Sequence, residues 1–167
     1  MLRALSDRRA FYFSVSVTTR PRRQGEIDGV DYSFISFEEF EAMRAAGELL
    51  EWASYSGSLY GTPRELVFEH LARGTDVLLD IEVHGAMQVK AAVPDALTVF
   101  LMPPSIEELE RRLRSRGDTE QDQAEARLDI ARWQMQIAPR EFDHLVVNED
   151  VDEAVAHIER ILDADLP

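Results

Sequence analysis

Residues Ser14–Phe34 read SVSVTTRPRRQGEIDGVDYSF, and the rest of the chain can be arranged around them. Val15 and Val17 alternate with Ser14 and Ser16, the period of a half-buried strand, and Phe11, Tyr12 and Phe13 extend that strand backwards. Thr18-Thr19-Arg20-Pro21-Arg22-Arg23 follows, and Pro21 keeps the arginines on extended backbone. The planar guanidinium fork grips phosphate through two parallel bonds, so these arginines form a candidate anion clamp. A solvated basic turn is the other reading of the same residues.

The pattern S-x-T-T-R-P-x-R-x-G-E-x-D-G-x-D-Y, Ser16 to Tyr32, resembles the nucleotide-monophosphate-binding segment of guanylate kinases. Glu51-Trp52, Tyr60-Gly61-Thr62, Asp80-Ile81-Glu82, and Arg112-Leu113 through Arg116-Gly117 stand where that family would place them. The resemblance runs from Leu2 to about Leu162. It implies an α/β fold in which a P-loop-kinase-like parallel sheet is flanked by helices. A small mixed α/β GMP-binding subdomain (about 16–76) and a helical lid (about 114–128) would be inserted in this single guanylate kinase-like domain, 1–167.

Composition narrows the remaining classes. With 167 residues, 45% apolar and 30% charged, the chain can bury a core as one folding unit. Cysteine is absent, which removes disulfides and thiol catalysis. A formal charge of −14 opposes general nucleic-acid binding, while a local arginine cluster can still take a small phosphorylated ligand. No stretch has the length of a membrane span and no signal peptide is visible, so the expectation is a cytoplasmic protein, monomer or homodimer, without membrane or nucleic-acid partners.

Further elements follow from local signals. Met1–Arg9 reads as a helix end with Arg8 and Arg9 in its last turn. Tyr32–Ile35 reads as a short strand. Ser36-Phe37-Glu38-Glu39 is a capping box opening a helix that Gly47 closes. Leu49–Tyr55 and Leu59–Gly61 are strands about a turn near Gly57. Thr62-Pro63-Arg64-Glu65 reads as a second capping box. Val77–Val83 reads as a strand that puts Asp80 and Glu82 on one face, and Leu97–Met102 as another. Ser105 caps a helix carrying Arg112 and Arg116 four apart. The next helix bears Arg127 and runs to about Met135, with Pro139 beyond its end. Leu145–Val147 and a final helix capped by Asp150 complete the alternation of a parallel α/β fold.

The resemblance implies roles. Ser16, Arg20, Arg23 and Tyr32 would hold the GMP phosphate, with Tyr60 adding a hydroxyl; Glu51 and Thr62 would face the guanine. Asp80 and Glu82 would border the substrate and a hydrated Mg²⁺. Arg112, Arg116 and Arg127 would close over the ATP phosphates, and Asn148 would contact the adenine. Arg20, Asp80 and the three lid arginines would serve catalysis, the transfer of the γ-phosphoryl group of ATP to GMP. Taken without the resemblance, Glu51 is an ordinary edge-strand residue and the lid arginines a solvated helix face.

The family's glycine-rich G-x-x-x-x-G-K-[ST] loop and the first core strand before it are not in the sequence, whose one lysine is Lys90. Such a loop supplies backbone donors and a lysine to ATP phosphates, and its loss should nearly abolish transfer. One expectation is therefore a sequence that begins one structural element late. A second is a non-catalytic module binding GMP or a phosphorylated peptide. A third is a destabilised fragment without activity.

Overall fold

The computed structural model describes residues 2–115 and 121–165. Its elements run α1 (Leu2–Ser6), β1 (Tyr12–Phe13), β2 (Val17–Thr18), β3 (Ser33–Phe34), α2 (Phe37–Ala46), β4 (Leu49–Tyr55), β5 (Ser58–Pro63), α3 (Arg64–Ala72), β6 (Val77–Leu78), α4 (Val83–Ala92), β7 (Val99–Met102), α5 (Ile106–Ser115), α6 (Gln121–Glu141), β8 (His144–Val147) and α7 (Val151–Asp165). The alternation is that of an α/β protein. The chain divides into two compact units, residues 10–96 and residues 1–9 with 97–167.

Within the 10–96 unit, β3-β2-β5-β4 form a four-stranded mixed sheet, while β1 and β6 form a separate parallel pair. The strand expected from Phe11 through Val17 is therefore two strands in two sheets. Tyr12 pairs with Val77, whereas Val17 pairs with Ser33 on one side and Gly61 on the other. Ser14 makes the transition, buried with its N–H donated to the Leu78 carbonyl.

The mixed sheet is built on a hairpin. Ser56 (φ 50°) and Gly57 (φ 80°) both take left-handed backbone, the pattern of a two-residue turn whose twist suits the flanking strands. Phe40 of α2 packs with Val17 and Leu49, joined by Ile35, Met43 and Leu59. The capping box at Ser36 forms as expected, with Glu39 N–H donating to Ser36 Oγ (3.1 Å) and Ser36 N–H to Glu39 Oε2 (2.7 Å). Gly47 closes α2 in the left-handed region.

The second capping box does not form. Pro63 is the N-cap of α3 and gives no side-chain cap bond, because Thr62 remains in β5 and commits its hydroxyl elsewhere. The expected strand Val77–Val83 also shortens. Its ladder stops at Leu78, and Val83 is the first residue of α4, with Glu82 as N-cap. Leu79 and Ile81 still pack against Leu50, Val67 and Val89. Asp80 and Glu82 thus lie on an extended connection rather than on one face of a strand.

In the other unit, β7 and β8 pair in parallel from Val99 with His144 to Met102 with Val147. Among the described residues three strand pairs are parallel: β1 with β6, β7 with β8, and β2 with β3 inside the mixed sheet. Asp150 caps α7, whose Val155, Ile158, Ile161 and Leu162 are buried. Leu5 of α1 is buried too. Arg8 and Arg9 lie past the end of α1 and reach α7, pairing with Asp152 and Glu159 and with Asp163. The helix α6 continues through Pro139 to Glu141. Proline at that point removes one bond from the last turn, which is tolerated where few residues remain. Arg116 and much of the expected lid lie outside the described residues.

Candidate active site

Two adjoining threonines fasten the arginine turn to β5. Thr18 Oγ1 donates to the Leu59 carbonyl (2.9 Å) and accepts from Arg20 N–H (3.1 Å), while Thr19 Oγ1 accepts from Leu59 N–H (3.0 Å). Arg20 is thereby delivered to a ring of partners. Its guanidinium lies 5.4 Å from the Tyr32 ring centroid and 5.6 Å from that of Phe34, within cation–π range. Tyr60 meets Tyr32 edge-on at 5.9 Å. Arg20, Tyr32 and Tyr60 are therefore one cluster.

Glu26 belongs to it as well, and sequence reasoning gave it no role. Arg20 donates to Glu26 through Nη2 (2.8 Å) and Nη1 (3.1 Å), and Arg23 N–H adds a third bond to the same carboxylate (2.7 Å). These donors, Arg20 first, hold Glu26 below the ordinary carboxylate pKa, and Glu26 in turn raises that of Arg20. The available signal was spacing: Gly25, with φ 90°, turns the chain so that a carboxylate six residues after Arg20 can face back to it. Arg23 itself is exposed. Ser16 contributes its carbonyl to Ser33 N–H, which fixes β3 beside β2.

Glu51 has the most unusual setting. Its β4 partner across the ladder is Thr62, and the register slips between Leu49 and Glu51, leaving Leu50 as an extra residue. This bulge lets Leu49, Leu50 and Glu51 be buried in succession, which strict alternation forbids. Glu51 is only 3% exposed, and Thr62 Oγ1 donates to its Oε1 at 2.6 Å. Desolvation raises its pKa, opposed by the Thr62 bond and reinforced by the charge of Glu82.

Gln88 of α4 secures the outer edge of the same strand. Its amide donates to the Trp52 carbonyl (2.7 Å) and its carbonyl accepts from Trp52 N–H (3.3 Å), as a neighbouring strand would. Asp80 is solvent-exposed as a residue yet crowded by surrounding protein, and that desolvation raises its pKa. Its charge also reaches Tyr32, whose pKa is raised chiefly by burial and next by Asp80. The charge of Asp80 is thus felt at Tyr32, and that of Glu82 at Glu51.

The model of the guanylate kinase family matches residues 1–165. The chain belongs to the guanylate kinase family. It is 52% identical over 151 residues to the guanylate kinase of Synechococcus sp. (strain JA-3-3Ab), covering 90% of this chain and 69% of that one. To the guanylate kinase of Gloeobacter violaceus it is 49% identical over its whole length, covering 82% of that protein. The crystal structure of guanylate kinase from Anaplasma phagocytophilum superposes with a TM-score of 0.85 at 34% identity, covering 99% of this chain and 81% of that one.

For a guanylate kinase, the remaining expected residues fall in the other unit. Arg112 is half-buried on α5, donating from Nε to Glu108 (2.7 Å) and from Nη1 to the Asn148 carbonyl (3.1 Å). Arg111 and Arg112 together bring Glu108 down to about 2. Arg112 and Asn148 are thus in contact, while Arg127 lies half-buried on α6. No helix among the described residues is long and apolar enough to cross a membrane.

Proposed function

We propose that the protein transfers the γ-phosphoryl group of ATP to GMP, giving ADP and GDP, with GMP held by the 10–96 unit. The observation that carries this reading is Glu51, a carboxylate buried at 3% exposure and bonded to Thr62. Guanine offers N1–H and an exocyclic amino group side by side, and a carboxylate accepts both. Adenine presents no such pair, so it would leave a buried anion unpaired, which is a strong basis for rejection.

Arg20 and Arg23 then supply positive charge for the phosphate, and the Tyr32 and Tyr60 hydroxyls add donors. Ser16 and Thr62 complete the acceptor set. Asp80 and Glu82 flank it. Magnesium keeps most of its waters and binds through phosphates and one or two carboxylates. Asp80 and Glu82 are the carboxylates that would border such an ion arriving with ATP. When present, that ion offsets charge on the phosphates.

On the donor side Arg112, Arg127 and Asn148 support contact with ATP, together with Arg116. Phosphoryl transfer asks mainly for alignment and charge neutralisation, and arginines meet that need. The G-x-x-x-x-G-K-[ST] run is not in this sequence, so binding and turnover should be measured separately. Calorimetry with GMP against AMP tests the acceptor site, and equal affinities would sink it. ATP-dependent formation of GDP, followed by nucleotide chromatography, tests the transfer.

A further inference from the structure

Gly85 lies in the first turn of α4, buried, and its backbone is not left-handed. Glycine inside a helix is less favourable than alanine, so neither propensity nor conformation explains it. Space does. A Cβ added at Gly85 would stand 2.1 Å from Glu51 Oε2 and 2.9 Å from Glu51 Cδ. The three nearest atoms to that Cβ all belong to the Glu51 side chain, and none to backbone.

We propose that Gly85 is a positioning residue for guanine recognition: its missing side chain is the space in which the Glu51 carboxylate rests. The inference rests on the reading of Glu51 as the guanine acceptor. Glu51 is held from both sides, by Thr62 Oγ1 at 2.6 Å and by the bare Cα of Gly85. Gln88, one turn further along α4, clasps the backbone of Trp52 and so keeps helix and strand in register beside that contact. With α4 fixed in this way, any side chain at position 85 must be accommodated by the flexible partner. That partner is the carboxylate, which would leave the hydroxyl of Thr62 and lose its aim.

The consequence separates position from stability. Alanine at 85 improves the helix and displaces only a side-chain end, so the fold should tolerate it while recognition does not. The experiment uses the full chain as wild type, Gly85→Ala, Glu51→Ala and the double variant, with GMP and AMP affinities by calorimetry and melting by circular dichroism. Gly85→Ala should lower GMP affinity by about tenfold or more, the loss of one well-aimed charged contact, with AMP affinity unmoved. In the Glu51→Ala background the same change should leave GMP affinity alone and raise the melting temperature.

A Gly85→Ala protein that keeps its preference for GMP overturns the proposal, as does a further loss of GMP affinity when Gly85→Ala is added to Glu51→Ala. If Gly85→Ala fails to fold, the double variant still decides: a folded protein supports the carboxylate clash, and an unfolded one overturns it. A wild type that does not distinguish GMP from AMP overturns the guanine reading itself, and this inference with it.

Discussion

Arg20 and Glu26 are joined by a two-pronged ion pair, 2.8 and 3.1 Å, and the carboxylate is closed off by Arg23 N–H at 2.7 Å. The guanidinium that should meet a phosphate therefore starts with an internal anion already on part of its donor set. With five N–H groups, Arg20 can serve both, and Glu26 spares it the cost of ordering a long side chain on ligand binding.

Replacing Glu26 by alanine should accordingly weaken binding of GMP by about tenfold, since a preorganised fork becomes a mobile one. AMP should weaken in proportion, because the phosphate and not the base is affected. Parallel titrations of both nucleotides with the Glu26→Ala protein check this, and a change confined to GMP would contradict it.

Thr62→Val keeps the shape of the side chain and removes the donor at 2.6 Å from Glu51. A hydrogen bond to a charged group contributes about 1.5–3 kcal/mol, and here the acceptor is buried. Denaturant unfolding at neutral pH should show a loss in that range. GMP affinity should fall too, because the carboxylate loses the bond that aims it.

Ser36→Ala offers a contrast. It removes the Oγ that accepts from Glu39 N–H at the start of α2 while leaving the backbone N–H that donates to Glu39, a loss of about 1 kcal/mol in stability. Nucleotide affinity should be unchanged, since the cap serves the packing of Phe40 rather than the pocket. Denaturation and calorimetry on the same preparation test the two halves.

The contrast between Ser36 and Thr62 also says what a sequence can carry. Both stretches have the capping-box pattern with partners three residues apart, and only the one at Ser36 forms. At Thr62 a carboxylate eleven positions away competes for the hydroxyl across the ladder, and nothing local announces it. Likewise the hairpin was legible from alternation and Gly57, whereas the extra residue at Leu50 that buries Glu51 was not. The alternation from Val77 to Val83 misled for a related reason: Val83, Ala86 and Val89 are also helix-spaced, and burial of that face against β4 favoured the helix. Motif spacing did bring Arg20, Tyr32 and Tyr60 to one cluster and Glu51 to Thr62. Glu26 and Gly85 escaped notice because their roles are to hold other side chains in place.

The last prediction concerns pH. Burial raises the pKa of Glu51 above the usual glutamate value near 4.5, so the folded protein takes up this proton more readily than the unfolded chain. The sign for stability follows. Below 4.5 the group is protonated in both states and imposes no penalty; as pH rises through the raised folded value, ionisation of the buried carboxyl costs stability. Guanine requires the opposite form, because N1–H and the amino group need an acceptor. GMP and a proton therefore compete for Glu51, and GMP affinity should begin to fall on acidification at a pH above 4.5. The nucleotide phosphate titrates near about pH 6 as well, but equally in GMP and AMP. The ratio of the two affinities isolates Glu51. It should decline with falling pH in the wild type and be flat, and lower throughout, in Glu51→Gln; a wild-type ratio independent of pH between 4.5 and neutrality would refute the role given to this carboxylate.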